Sequence, residues 1–411
     1  MATIPLFMGN SRVSTGASTT QYGPVGLGVR PGNATETNMY LTHRSAGTLS
    51  NLYFRLSSND RGASTMRVRV NVGDGNQNVS IGASATGEFE DTSNTDAIAA
   101  GDEFALRLVT GAGGTTFVLE AQGWLFAPTT NTAERFVTAG GGGISTASTT
   151  FFNLIGGIEG DVTASENGQE QKFQTAGTLS NGIVLLRTNT RSTNSTFRSR
   201  VNNGNGNIAI TIASTDTSGF LEDTSNTDTI AANDLVNTSI TLGTGTGTLR
   251  FFLTGADFIT TNSKFMILGG LGIGRNQLAN VTSYSHMAGN LILAATTEAF
   301  LQSDPNIAFT GSNATIYVSA ITMTDASTWR LRINGGNGNQ VISSITTTGR
   351  KEDTTNTDAI VSGDDICWEF ITGATGTSAT LSLLSMMGAI AAPAPPATAT
   401  SQFFMLMGIG T

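Results

Sequence analysis

The stretch Glu90-Asp91-Thr92-Ser93-Asn94-Thr95-Asp96-Ala97-Ile98 returns as Glu222-Asp223-Thr224-Ser225-Asn226-Thr227-Asp228-Thr229-Ile230 and again as Glu352-Asp353-Thr354-Thr355-Asn356-Thr357-Asp358-Ala359-Ile360. The copies begin at residues 90, 222 and 352 of a 411-residue chain, and a spacing of about 130 residues marks tandem structural units. That length is also too great for one core and suits three domains. The expected units are 1–132, 133–262 and 263–392, with 393–411 as a Pro-rich linker and a terminal apolar strand.

Each unit has the same order of parts. An apolar block ending in glycine opens it: Ile4 to Gly9, Arg135 to Gly140 and Lys264 to Gly269. After roughly 40 residues of Gly, Ser, Thr and Asn comes a strand-like run, beginning Gly47-Thr48-Leu49 in the first unit and Gly177-Thr178-Leu179 in the second. A cleanly alternating run follows, as in Thr65-Met66-Arg67-Val68-Arg69-Val70-Asn71. Its counterparts are Thr196 to Asn202 and Thr328 to Asn334. Alternation puts Arg67 and Arg69 on one face and Met66, Val68 and Val70 on the other, the signature of a half-buried antiparallel strand. The Gly/Asn runs at 73–76, 204–207 and 335–339 are expected to close hairpins, and a turn and another strand are expected to follow the acidic block. With seven or eight short strands per unit and no helical periodicity, the fold class is all-β: three tandem jelly-roll-like β-sandwiches, wired as jelly roll or Greek key, forming a pseudo-trimer.

Composition narrows function. Only 12% of residues are charged, with 50 Gly and 8 Pro, so solubility rests on Thr, Ser, Asn and Gly. A net charge of −9 argues against nucleic acid and against an anionic membrane surface. The longest apolar stretch, near 386–392, is too short to span a bilayer. The N-terminus has no basic start and no long apolar run, so a protein made in the cytosol without a signal peptide is expected. One cysteine, Cys367, gives neither a disulfide framework nor a metal cluster.

The acidic block offers calcium ligands, with Asp91, Asn94 and Asp96, Asp223, Asn226 and Asp228, and Asp353, Asn356 and Asp358 as the oxygen donors. It lacks the spaced pattern of a dedicated calcium loop, and Asx caps with carboxylate–arginine pairing explain it as well. The arginine pairs Arg67/Arg69, Arg198/Arg200 and Arg330/Arg332 read as structural ion pairs with that block. Adjacent carboxylates such as Glu90 and Asp91 face opposite ways on a strand, which is wrong for a glycosidase pair. The two histidines, His43 and His286, occupy non-equivalent places, so no triad or zinc site assembles. No catalytic residue and no cofactor is expected. Trp124, Trp329 and Trp368 read as core or interface.

The tail Gln402-Phe403-Phe404-Met405-Leu406-Met407-Gly408 is a fourth copy of the opening block. Four apolar strands for three sandwiches point to strands that lie between domains or face a partner, because an unpaired apolar strand needs an edge. Phe7, Met8, Phe136, Phe265, Met266, Phe403, Phe404 and Met405 are the interface candidates.

Aligned, the unit Gly-Thr-Leu-Ser-Asn…Thr-φ-Arg-x-Arg-φ-Asn…Glu-Asp-Thr-Ser-Asn-Thr-Asp…Ala-Gly-Asp resembles the jelly-roll repeats of tailed-phage virion accessory proteins, of the capsid-decoration and head-fibre type, and is C1q/TNF-like in outline. The resemblance implies a non-enzymatic virion protein that partners other virion proteins, a major capsid protein first, and self-associates through terminal strands. A carbohydrate-binding adhesin of a tail fibre or cell surface, a self-assembling filament subunit and a depolymerase are the alternatives.

Overall fold

The computed structural model describes residues 4–14, 16–24, 34–129, 132–139, 144, 150–153, 155–158, 164–260, 264–290 and 296–390. Each repeat contributes eight main strand positions. In the first they are Ile4–Ser14, Thr20–Pro24, Gly47–Asn59, Ser64–Val70, Gly73–Ile81, Gly87–Ile98, Glu103–Val109 and Phe117–Pro128. The second supplies Thr132–Ala139, Thr150–Asn153, Gly177–Asn189, Ser195–Val201, Gly204–Ile212, a sixth strand split into Gly219–Asp223 and Asp228–Ile230, Leu235–Thr241 and Leu249–Thr260. The third supplies Lys264–Leu278, Thr282–Ser285, Phe309–Ile321, Ser327–Ile333, Gly336–Ile345, Gly349–Ile360, Ile366–Ile371 and Ser378–Ala389.

In every repeat strands one, eight, three and six form one sheet, and strands two, seven, four and five form the other. Orders 1-8-3-6 and 2-7-4-5 are the wiring of a jelly roll, in which the two halves of a long hairpin roll onto each other. The three larger sheets fuse into one 15-stranded sheet through two short parallel connectors. Gly157–Ile158 pairs with the first strands of repeats two and three, and Gly289–Asn290 with those of repeats three and one. The first strands therefore converge on a common centre, and the repeats form a pseudo-trimer.

The alternating runs form strand four as read, with Met66, Val68, Trp329 and Leu331 fully buried. The Gly/Asn runs are a correction. The hairpin turns one step earlier, at Asn71-Val72, Asn202-Asn203 and Asn334-Gly335, all with positive φ. Two residues of positive φ between paired positions Val70 and Gly73 make the twist-matched two-residue turn that asparagine and glycine favour. The glycines of the run other than Gly335 lie on strand five instead, where Gly75, Gly206 and Gly338 leave room for an aspartate. A Cβ built there would sit 2.8 Å from Asp96, 2.6 Å from Asp228 and 3.0 Å from Asp358. In repeats one and three the acidic block lies in the middle of strand six, bulged in register with strand three, and in repeat two residues 224–227 separate the two pieces of that strand.

Aromatic volume moves between strands without changing the core. In repeats one and two a third-strand glycine makes room for an eighth-strand ring, Gly47 for Phe126 and Gly177 for Phe258, with a built Cβ only 2.5 and 2.6 Å from the ring. In repeat three the roles reverse: Phe309 stands on strand three and Gly388 on strand eight. The vacated space is taken by Phe265, edge-on to Phe309 with centroids 5.1 Å apart.

Val72 is the one β-branched residue in the three turns, at φ 67°, and is 56% exposed. Since its strain serves no contact in the core, Val72→Gly is expected to raise unfolding stability by about 1 kcal/mol in chemical denaturation.

Candidate functional site: seams and edges of the pseudo-trimer

The opening block Phe265-Met266-Ile267-Leu268 is apolar at every position, which for a strand means burial on both faces. Phe265 and Ile267 lie in the sandwich core with Phe309 and Met386. Met266 and Leu268, on the other face, join Met387 in packing against Ile155, Ala256 and Phe258 of repeat two. Of the two interface candidates here, Met266 is thus at the seam and Phe265 is inside. Phe7, Met8 and Phe136 lie on first strands by backbone, but their side chains are outside the described residues, as are Phe403, Phe404 and Met405 altogether.

Polar contacts repeat around the ring. In each case the loop before strand three docks on strands three and six of the next repeat. From repeat one, Arg44 Nε donates to Glu222 at 3.0 Å, with a second bond from the same guanidinium. From repeat two, Lys172 Nζ reaches both oxygens of Glu352 at 2.8 and 2.6 Å, and Gln174 donates to Thr315 Oγ1 at 2.7 Å. From repeat three, the Ala299 carbonyl accepts from Arg55, whose guanidinium also lies 3.1 Å from Asp365. The leading glutamate of the acidic block is therefore a seam residue.

The remaining acidic residues clip the two sheets together along one side of each sandwich. Strand five ends the smaller sheet and strand six lies beside it at the edge of the larger one, so the outward N–H groups of strand five need acceptors. Asp91, Asp223 and Asp353 accept from the backbone of Asn78, Ala209 and Val341 at 2.8, 2.9 and 2.8 Å. Asp96, Asp228 and Asp358 accept from Asn76, Asn207 and Asn339 at 2.5, 2.6 and 2.7 Å. Asn94, Asn226 and Asn356 turn their amide nitrogens, not oxygens, toward the first aspartate of their block. This leaves the calcium candidates facing hydrogen-bond donors, and among the described residues no group of three or more His, Cys, Asp or Glu is placed to hold a metal ion.

Repeat two reaches the same satisfaction by other residues. In repeats one and three a buried glutamine, Gln77 or Gln340, accepts from the bulged backbone N–H of Leu52 or Ala314 at 2.8 and 2.7 Å. Gln77 Nε2 also donates to Asp96 at 3.1 Å. Repeat two has Ile208 there, packed against Gly182, and the aspartate instead accepts from Ser199 Oγ at 2.6 Å.

The arginine row is a correction to the expected pairing. Arg69, Arg200 and Arg332 each meet a glutamate before strand three, not the acidic block: Glu36 at 2.6 and 3.0 Å, Glu166 at 2.9 and 2.7 Å, and Glu298 at 3.1 and 3.1 Å. Arg67 pairs with Asp74 at 2.7 Å, Arg330 with Glu369 at 3.1 Å, and Arg198 donates to the Gly206 carbonyl at 3.2 Å. The glutamates were legible as a Thr-Glu or Ser-Glu pair recurring 33 or 34 residues before its arginine. Fork-to-fork geometry in a mostly buried setting fixes the loop that carries the next seam.

Trp124, Trp329 and Trp368 are buried, the last two stacked with centroids 5.4 Å apart. Burial, with Glu298 nearby, pushes the Cys367 thiol well up, which disfavours the nucleophilic thiolate. His43 and His286 are buried in different repeats.

No family model matches the chain, and no curated protein matches it. Among solved structures, a chain of the Sulfolobus turreted icosahedral virus is similar at 12% identity over 86% of this chain and 83% of that one, with a TM-score of 0.18. A chain from a structure titled for the triple jelly roll fold and turret assembly in an archaeal virus is similar at 12% identity over 86% and 82%, with a TM-score of 0.16. Scores of this size describe no shared superposition, so the fold rests on the strand order of this chain.

Burial raises the carboxyls of Asp91, Asp223 and Asp353, but their hydrogen bonds from backbone and asparagine donors outweigh it and the net shift is downward. Groups lowered in the folded state contribute stability above their unfolded value of about 4, and lose it as pH falls through the folded value. Acid unfolding below about pH 4 is therefore expected. Asp223→Ala, which strands the Ala209 N–H, is expected to cost about 1–3 kcal/mol at neutral pH and to flatten the acid limb of a stability–pH curve.

Proposed function

We propose that the chain is a non-enzymatic structural protein of a virion, a covalent pseudo-trimer that seats on a threefold or quasi-threefold position of a protein lattice as a decoration, cement or appendage subunit. One observation carries the reading: three jelly rolls of one chain close around a common centre through their opening strands and three equivalent seams. Fusion removes the entropic cost of gathering three subunits and leaves divergence between repeats free to meet different neighbours. The repeated carboxylates and arginines support it, because they are spent on backbone donors and on one another. The partner is a lattice-forming major capsid protein, with location in the virion.

The adhesin alternative loses its sugar platforms with the burial of the three tryptophans. Cryo-electron microscopy of particles from the producing culture tests the proposal. The expected result is density for three jelly rolls about one axis on the particle surface. Absence of the chain from purified particles by mass spectrometry, with affinity for glycans on an array, would overturn it.

A further inference from the structure

The three seams are equivalent in position but not in charge. At the first, a guanidinium from repeat one meets the leading glutamate of the acidic block in repeat two; at the second, the ammonium of Lys172 meets Glu352. The register of the docking loop on strand seven fixes the third. Lys172 pairs opposite Leu235, while the bridge from Ser303 to Ile366 puts Asp304 at the matching place in repeat three. Facing Glu90 of repeat one are thus Asp304 and the side chain of Asn306, which hydrogen-bonds it. A carboxylate stands where the second seam has Lys172, and Asn306 where the first has Arg44. The chain also crosses the first seam between Pro128 and Thr132 and the second between Thr260 and Lys264, whereas repeats three and one lie at opposite ends of the sequence.

We infer that the seam between repeats three and one is the one at which the ring opens, held shut in acid and loosened as pH rises. Among the described residues, the charged groups facing it come from both repeats. Repeat one contributes Glu88 and Glu90 from strand six, with Tyr53 and Arg55 from strand three. Repeat three contributes Asp304 from the docking loop, and Asp364 and Asp365 from the turn before strand seven. Arg55 is the cation among them, shared between Glu88 and Asp365, and the Tyr53 hydroxyl donates to Glu88 at 3.0 Å. Asp304 accepts from the backbone of Asn306 at 2.7 Å and Gly363 at 3.2 Å, and Asp364 accepts from Asn334 at 2.7 Å.

Burial first, then repulsion from the neighbouring carboxylates, pushes Glu90, Asp304 and Asp365 up from their ordinary values. A group raised in the folded state favours folding most when protonated. The contribution of these three is whole below the unfolded values of about 4 and fades as pH climbs through the raised ones. The sign is opposite to that of the clip aspartates, so the seam loosens over a range in which each sandwich holds.

Hydrogen exchange of the intact protein at pH 5 and pH 8, corrected for intrinsic rates, reads this directly. Segments 85–91 and 298–306 report the closing seam, with 217–223 and 166–174 as controls from the other two. Protection at the closing seam is expected to fall several-fold relative to the controls, about twofold for each of the three carboxyls displaced by one pH unit, because pH 5 already lies above the unfolded values. Asp304→Lys, which supplies the cation found at the second seam, is expected to abolish the difference, and Glu90→Gln to reduce it. Seams that track one another across pH, or an Asp304→Lys protein that is folded by near-ultraviolet dichroism and keeps the difference, would overturn the inference.

Discussion

A strand that is apolar on both faces cannot end a sheet in water, and the architecture follows from that constraint. In repeat three, alternate residues of the opening strand face the sandwich core and the neighbouring repeat, Ile267 one way and Leu268 the other. One sandwich covers only one of those faces. The first strands pair antiparallel with their own eighth strands and parallel with the short connectors, so their hydrogen-bonding edges close at the centre. The sixth and fifth strands are left as neighbouring sheet edges on the outside, and there the aspartates take over.

The outer edge is managed by charge without a partner. Two carboxylates per repeat accept from consecutive N–H groups of strand five, and a glycine opposite keeps the approach clear. The cost of leaving such donors dry is of the same order as the hydrogen bonds that satisfy them, about 1–3 kcal/mol each. In repeat two, where isoleucine replaces the glutamine, the Ser199 hydroxyl supplies the aspartate with the side-chain donor that Gln77 supplies in repeat one. The exchange of Gly47 and Phe126 for Phe309 and Gly388 follows the same logic in apolar volume.

Much of this could be read from the residues. Alternation around Arg67, Arg198 and Arg330 gave a strand, recurrence of the acidic block gave the repeat, and the unbroken apolar opening blocks pointed to strands between domains. Two features misled. Glycine runs read as turns because composition cannot distinguish a glycine chosen for positive φ from one chosen for space, and Gly75 is the second kind. The acidic block read as the partner of the arginines because that signal is local, whereas its acceptors serve a strand of the other sheet and its leading glutamate serves another repeat. The seams are relations between residues about 130 positions apart, and no local pattern announces them.

The claim on which the rest turns is that the three repeats, joined in one 15-stranded sheet, hold together as one body at pH 5. Scanning calorimetry of the whole chain at pH 5 tests it most directly. A ring that shares its opening strands should melt as one cooperative unit, with calorimetric and van't Hoff enthalpies in agreement. Three separate transitions, or a calorimetric enthalpy about three times the van't Hoff value, would mean independent sandwiches on a string and would contradict the account.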